Sequence, residues 1–178
     1  MNLIETFQDL IARVPELIQP LIVAAAGAIP FIEGEGAATI GIIGGVHPVI
    51  AAVAAVAGNF ACVAVLVLLS SRARQAVVTR VHARAAVAAQ GAADGETPEQ
   101  SAEPPSRRRV KFQRAFERYG VPGVSLLGPL LLPTQFTATM LATAGVGRAR
   151  ILSWQAVAIV GWTTLIAVLI SGVAYAVR

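Results

Sequence analysis

The chain has 178 residues, of which 56% are apolar and 13% are charged. The charged share is about half of the ~25% that is typical of soluble domains, which excludes an ordinary water-soluble enzyme. The single cysteine excludes a disulfide framework and a multi-cysteine metal site. The only histidines, His47 and His82, lie 35 residues apart and offer little for a zinc site. Because no P-loop, GxSxG, HExxH or dinucleotide motif occurs, we predict no enzyme activity, no metal and no cofactor.

Charge is absent from three long stretches of the chain. Residues 36–71, 119–147 and 151–177 contain no Asp, Glu, Lys or Arg, and each exceeds the ~20 residues that a helix needs to cross a bilayer. Residues 72–118 hold ten of the 14 Lys and Arg residues but five of the 10 Asp and Glu residues. Basic loops stay on the cytoplasmic side of membranes. We therefore predict a multi-pass protein of the cell membrane with residues 72–118 in the cytoplasm.

The first half begins with an amphipathic pattern. Residues 2–16 place apolar side chains at helical spacing opposite a mainly acidic face, which predicts a helix lying at the membrane interface. The apolar segment that follows is interrupted by Pro30 and by glycines that flank Glu33 and Glu35. After a turn at His47-Pro48, residues 49–69 are apolar apart from Asn59 and contain no proline. This stretch predicts a transmembrane helix.

The second half has the same order of elements after a polar connection. We predict a basic helix over residues 70–89, a disordered linker over 90–106 because bulky apolar residues are scarce there, and a basic amphipathic helix over 107–118. The next apolar segment is interrupted by Pro122, Pro129 and Pro133, and residues 151–177 predict a second transmembrane helix. We expect three parts: a first membrane repeat at 1–71, a basic cytoplasmic helix and linker at 72–106, and a second membrane repeat at 107–178.

A shift of 103 residues pairs Pro30 with Pro133 and Gly58 with Gly161. The two amphipathic helices differ in the sign of their charge, as expected if they lie on opposite faces of the membrane. We therefore predict an all-α integral membrane protein of two inverted repeats, each an amphipathic helix, a proline-broken helical hairpin and a transmembrane helix. The sequence allows each broken segment to be re-entrant or to span once, and we favour the re-entrant hairpin. Transporters recurrently use inverted repeats with broken helices.

Two regions resemble a known family. The stretch IPFIEGEGAATIGIIGG with the later Gly58-Asn59, and the stretch FERYGVPGVSLLGPLLLPTQFTATMLATAGVG, are similar to the two halves of the small multidrug-export protein family. More distantly, both resemble DedA-type, or VTT-domain, membrane proteins. The resemblance implies two re-entrant hairpins and either export of small molecules or movement of lipids. Glu33 stands at the glutamate of the family's motif, whereas Glu35 stands where the family carries an arginine.

Glu33 and Glu35 are the principal candidates for a binding site. A carboxylate at membrane depth is costly and usually faces a cavity, a partner or a pathway. Burial and the neighbouring carboxylate both favour a shared proton, so the pair could accept a proton or bind a cation. Alternatively, the IEGEG segment is a surface loop. Only about 30 residues separate Gln19 from His47, too few for two full spans at roughly 20 residues each, so we favour the buried position.

Three further polar residues lie within apolar segments. Thr134 and Gln135, at the second break, could bind a substrate or the backbone groups freed at Pro133; they could equally join helices. Asn59 could bind substrate, but an interhelical hydrogen bond is the favoured interpretation. We expect Arg107, Arg108, Arg109 and Lys111 to contact anionic lipid headgroups rather than nucleic acid.

These patterns together favour a small proton-linked membrane exporter of the multidrug-export type, with an amphipathic or lipidic substrate between the two broken segments. The alternatives are a lipid translocase and an accessory subunit of a larger complex. Because one short chain could hardly enclose a wide pathway, we also expect a homodimer.

Overall fold

A computed structural model describes residues 3–91, 120–130 and 132–176, with side chains described as far as Arg84 in the long fourth helix. All regular secondary structure in these residues is helical. The helices are α1 (Leu3–Arg13), α2 (Gln19–Gly27), α3 (Glu33–Ile43), α4 (Pro48–Gly91), α5 (Gly120–Leu130, ending in a 3-10 turn at Gly128–Leu130), α6 (Thr134–Thr143) and α7 (Arg148–Ala176). The predicted basic helix at 107–118, and with it Arg107, Arg108, Arg109 and Lys111, lies outside the described residues.

Helices α4 and α7 are long and apolar enough to cross a membrane. Only 28% of the most apolar window of α4 and 22% of that of α7 are buried within the fold. Most of their valine and leucine side chains therefore face outward, unlike those of a core helix in a soluble protein. The two helices run antiparallel, because Arg148 at the start of α7 contacts Gln75 of α4 while Ala167 joins the core that contains Ala51.

The other apolar helices are short, and the predicted breaks lie between them. Helix α2 has nine residues and α3 has 11, and Pro30 lies in the connection between them. Pro133 ends the connection between α5 and α6. Pro122, in contrast, does not interrupt a helix. Gly120, two residues before it, has a φ of +64°, and residues 121–127 are helical.

The described residues form two apolar cores at opposite ends of the α4–α7 pair. The first is rich in alanine and contains α1, α2, α3, the beginning of α4 and the end of α7; its members include Ile11, Val23, Ala38, Ala51 and Ala167. The second contains α5, α6, the later part of α4 and the beginning of α7; its members include Val67, Val121, Leu141, Ile151 and Ile159. Each pair of short helices is thus held at its own end of the long pair.

Small residues allow the first core to pack with its backbones in contact. A Cβ atom on Gly58 would lie 1.8 Å from the carbonyl oxygen of Ala24, and one on Gly27 would lie 2.7 Å from that of Ala55. Any side chain at Gly58 would therefore force α2 away from α4. This close contact fixes the position of the connection that follows α2.

The turn from α3 to α4 and the turn from α6 to α7 share one hydrogen-bond pattern. In the first, the amides of Gly44, Gly45 and Val46 donate to the carbonyls of Ile40, Ile42 and Gly41. In the second, the amides of Ala144, Gly145 and Val146 donate to the carbonyls of Met140, Ala142 and Leu141. Each bond of the first turn recurs 100 residues later. Gly45 and Gly145 both adopt positive φ, +93° and +89°, which glycine allows without strain.

Candidate functional site

Glu33 begins α3, directly after the break at Pro30, and only 7% of its surface is exposed. Its φ is +54°, and that of Phe31 is +72°. Residues other than glycine rarely adopt such conformations, which persist where the surrounding contacts fix them and which cluster at functional sites. The structure thus gives Glu33 the buried position that the sequence analysis favours over a surface loop.

The Glu33 carboxylate reaches across to the second broken segment. Its Oε1 atom accepts hydrogen bonds from the backbone amide of Thr134 and from the Thr134 hydroxyl at 2.8 Å. Thr134 is the first residue of α6, and Pro133 before it offers no capping side chain. Glu33 therefore supplies from α3 the anionic cap that the amino terminus of α6 lacks, in a position that the helix dipole favours.

Asn59 and Gln135 complete a buried polar cluster around this contact. The Oδ1 atom of Asn59 accepts hydrogen bonds from Gln135 Nε2 and from Thr134 Oγ1, both at 3.2 Å. The Thr134 hydroxyl has one proton, so it donates to one of three acceptors, which are Glu33 Oε1, Asn59 Oδ1 and, at 3.4 Å, Gln135 Oε1. Four of the predicted site residues, Glu33, Asn59, Thr134 and Gln135, thus meet where α3, α4 and α6 come together.

A cavity of about 390 Å³ opens beside the cluster. Glu33 and Glu35 line it from α3, Pro129 and Leu130 line it from the end of α5, and Trp162 lines it from α7. Glu35 faces the cavity and takes no part in the hydrogen bonds of the Glu33–Asn59–Thr134–Gln135 cluster. The space thus lies between the two broken segments and presents carboxyl groups together with an indole ring.

Gly34, between the two glutamates, lets α3 approach α7. A Cβ atom at this position would lie 2.1 Å from the Thr163 hydroxyl oxygen. Thr163 is fully buried, and within the described residues its hydroxyl has no hydrogen-bond partner. The Gly34–Thr163 contact therefore holds the part of α3 that carries the two glutamates close to α7.

Trp162 and Thr163 are functional-site residues that the sequence patterns above do not indicate. Trp162 donates a hydrogen bond from Nε1 to the Leu126 carbonyl at 2.9 Å, which ties α7 to α5 beside the cavity. Tryptophan in membrane helices is enriched at the interfaces, so a tryptophan near the middle of the 148–176 helix was an available signal. Gln155, also within this apolar helix, is fully buried and was equally visible.

Two other threonines of the second broken segment have local partners. The Thr137 hydroxyl donates to the Pro133 carbonyl at 3.4 Å, and the Thr139 hydroxyl donates to the Phe136 carbonyl at 2.9 Å. Both bonds stay within the chain around α6, so these two threonines serve the backbone rather than the cluster.

A comparison of the chain with family models, with curated proteins and with solved structures finds no match.

Proposed function

We propose that this chain is a small membrane exporter of amphipathic cations, of the multidrug-export type and driven by protons. One observation carries the proposal: a buried carboxylate, Glu33, joins the two broken segments at Thr134 beside a cavity that Glu35 also lines. Ionisable residues within membrane segments are rare and typically mark ion or substrate pathways. In this proposal, the protein is a multi-pass protein of the cell membrane, acts as a homodimer, and keeps residues 72–118 in the cytoplasm.

Membrane insertion is supported by what the long helices expose. Val53 and Leu69 of α4, and Val168 and Val173 of α7, are each more than half exposed. Soluble monomers rarely expose apolar patches of more than a few hundred Å². A lipid surround would cover these side chains, and the ten basic residues of 72–118 favour the cytoplasm for that segment.

Two inverted repeats account for the recurrence of the elements. Helices α3 and α4 begin at residues 33 and 48, while α6 and α7 begin at 134 and 148. The shared hydrogen-bond pattern of the two turns supports a register of 100 residues at this point, in place of the 103 that prolines and glycines suggest. The antiparallel α4 and α7 then give the repeats opposite orientation.

Re-entrant hairpins are supported by length and by contacts. Helices α2 and α3, with nine and 11 residues, measure about 14 and 16 Å, roughly half of the ~30 Å apolar layer. Ile11 of α1 lies against Gly44, next to the start of α4. The chain therefore leaves α1, passes through α2 and α3, and returns to the level from which it started.

The proposed coupling step is the protonation of Glu33. Both hydrogen bonds from Thr134 go to Oε1, so the Oε2 atom is available for a proton. Hydrogen bonds to a charged acceptor are roughly twice as strong as neutral ones. Protonation would weaken both bonds and free the Thr134 hydroxyl to turn to Asn59. The contact between the two broken segments thereby becomes sensitive to protons, as alternating access requires.

The chemistry of the cavity favours a cation as substrate. Two carboxyl groups and the Trp162 ring line the same space, and an indole face attracts organic cations. A volume of about 390 Å³ falls within the range of small-molecule sites. Protons and a cationic substrate would then compete for the same carboxylates, which is the simplest form of exchange.

A lipid translocase is the second candidate, because the rim of the cavity is apolar. Phe31 and Leu130, which both line the cavity, are 77% and 62% exposed. Such a rim suits an opening toward the acyl chains of a bilayer. In this case the headgroup of a lipid, rather than a free cation, would pass the Glu33–Thr134 contact.

Purified protein in proteoliposomes tests both candidates. We expect an imposed pH gradient to drive a lipophilic cationic dye across the membrane in exchange for protons. Glu33→Gln should abolish this pH dependence while the protein still inserts and folds. The amide retains an oxygen that can accept both bonds from Thr134, so loss of the pH dependence would report on the proton rather than on packing. Glu16→Gln, which changes the charge outside α3, is the matched control.

A second assay distinguishes the alternatives. Scrambling of a fluorescent phospholipid without dye transport would replace the exporter by the lipid translocase. If the protein moves neither probe, the accessory-subunit hypothesis takes the place of both.

A further inference from the structure

We propose that the phosphate of an anionic phospholipid headgroup binds between α4 and the turn that joins α6 to α7, on the opposite side of the second core from the carboxylate cavity. This site would hold a resident lipid and does not depend on the transport function proposed above.

A cavity of about 240 Å³ lies at this position. Ser71, Arg74 and Gln75 line it from α4, and Gly145 and Arg148 line it from the turn and the start of α7. Arg148 Nη2 donates a hydrogen bond to Gln75 Oε1 at 3.1 Å, which holds its guanidinium beside the cavity. Ser71 is 8% exposed and adds a hydroxyl group to the wall. The lining thus offers two guanidinium groups and a hydroxyl, the donors that bind phosphate.

Neither arginine is neutralised by the part of the chain that is described. Within residues 3–91, 120–130 and 132–176, the only ion pair joins Arg13 to Asp9. All carboxylate side chains in those residues belong to the first 35 positions, on elements of the first core. Two guanidinium groups around one cavity repel each other unless an anion lies between them. An arginine fork matches phosphate oxygens in geometry as well as in charge.

Gly145 makes room for one of these guanidinium groups. A Cβ atom at Gly145 would lie 2.7 Å from Arg74 Nη2. The equivalent glycine of the first turn, Gly45, has nearly the same φ, yet a Cβ atom there would meet nothing within 4 Å. The two turns have the same backbone conformation, and only the second has an arginine packed against it. The arginine-lined cavity is therefore a feature of the second turn and does not follow from the turn conformation alone.

The beginning of α7 adds donors of a second kind. The amide of Ile151 is the first to bond within the helix, to Gly147, so the amides of residues 148–150 have no intrahelical acceptor. Their partial positive charge favours an anion at this end of α7. The cavity is therefore lined by positive groups from both helices.

The position of the cavity favours a lipid over a soluble phosphate. Leu68 and Leu69, within one turn of Ser71, are exposed, and the apolar part of α4 continues behind them. Arg72 and Arg74 begin the charged part of the same helix. A headgroup in the cavity would thus place its acyl chains along the apolar side chains of α4.

Lipid binding by the full chain in a neutral detergent tests the proposal, because such a micelle has no anionic surface of its own. Phosphatidylglycerol is titrated, and bound lipid is counted by native mass spectrometry. We expect Arg74→Gln with Arg148→Gln to weaken binding by at least about tenfold, since two charge-assisted contacts are lost. Arg72→Gln with Arg150→Gln removes the same charge outside the cavity and should change the affinity by less than about twofold.

Two further variants keep the test decisive if the double substitution impairs folding. Gly145→Ala displaces Arg74 and should weaken lipid binding, whereas Gly45→Ala carries the same backbone strain and should not. Equal losses in both arginine double variants, or equal binding by Gly145→Ala and Gly45→Ala, would overturn the proposal. Displacement of the lipid by inorganic phosphate at millimolar concentration would identify the site as one for a soluble anion, and would overturn it as well.

Discussion

The carboxylate of Glu33 accepts two hydrogen bonds from Thr134, a residue 101 positions later in the chain. This contact joins the first residues of α3 and α6, which belong to different apolar cores. It is both a helix cap and a link between the two broken segments. Its strength therefore bears on stability as well as on the proposed transport.

Replacing Thr134 by valine removes the hydroxyl at nearly constant volume. We expect a loss of about 1.5–3 kcal/mol in the free energy of unfolding, because the lost hydrogen bond has a charged acceptor in a buried site. Thr134→Ser keeps the hydroxyl and should lose less. Equilibrium unfolding in detergent measures both. A valine variant as stable as the wild type would mean that the amide of Thr134 alone maintains the contact.

Labelling from one side of the membrane tests the re-entrant topology. In a Cys62→Ala background, single cysteines replace Asp9 in α1, Tyr175 near the end of α7, and Arg80 in α4. We expect a membrane-impermeant reagent on intact cells to label positions 9 and 175 and to leave position 80 unmodified until the membrane is opened. Protection of positions 9 and 175 together with position 80 would place all three on the cytoplasmic side and would contradict the re-entrant hairpin.

The polar cluster was predictable because polar groups in apolar segments have few possible partners. Glu33, Asn59, Thr134 and Gln135 lie in mainly apolar stretches, and buried polar groups need partners. Composition alone therefore indicates that such residues meet. Which atoms meet was beyond the sequence, because a contact across 101 residues depends on how two helix pairs pack against α4 and α7.

The register between the two halves could not be read from the sequence either. Alanine, valine and leucine recur so often that several shifts give similar numbers of matches, and the pairing of Pro30 with Pro133 favours 103. The hydrogen bonds of the two turns match at 100 instead. Those bonds depend on backbone conformation at Gly45 and Gly145, and the position of a glycine within a turn follows from the fold rather than from hydropathy.

The packing of α3 against α7 depends on the absence of a side chain at Gly34. We expect Gly34→Ala to destabilise the protein by about 1–3 kcal/mol, as overpacking of a tight contact commonly does, because the new methyl group would meet the Thr163 hydroxyl. Thr163→Ala removes that oxygen. The double variant should therefore recover part of the loss, with a coupling energy above about 0.5 kcal/mol.

Gly161→Ala is the control for this pair, since a Cβ atom there meets nothing within 4 Å and alanine favours helices. We expect no loss of stability from it. Strictly additive effects of Gly34→Ala and Thr163→Ala on the unfolding free energy would show that the two residues do not press on one another.

The charge at Glu35 should influence the pH dependence of transport, because Glu35 lines the cavity together with Glu33. Glu35→Arg places a cation where a carboxylate stands. An opposite charge nearby stabilises the ionised form of a carboxyl group. Glu33 should therefore stay ionised down to a lower pH. If protonation of Glu33 drives transport, the midpoint of the pH dependence of the maximal transport rate should lie at a lower pH in this variant. Glu35→Gln removes a like charge without adding a cation and should move the midpoint in the same direction by a smaller amount.

The arginine would also repel a cationic substrate, so the maximal rate at saturating dye, rather than the rate at low dye, is the quantity to follow. A midpoint equal in the arginine, glutamine and wild-type proteins would show that the proton which matters does not reside on Glu33.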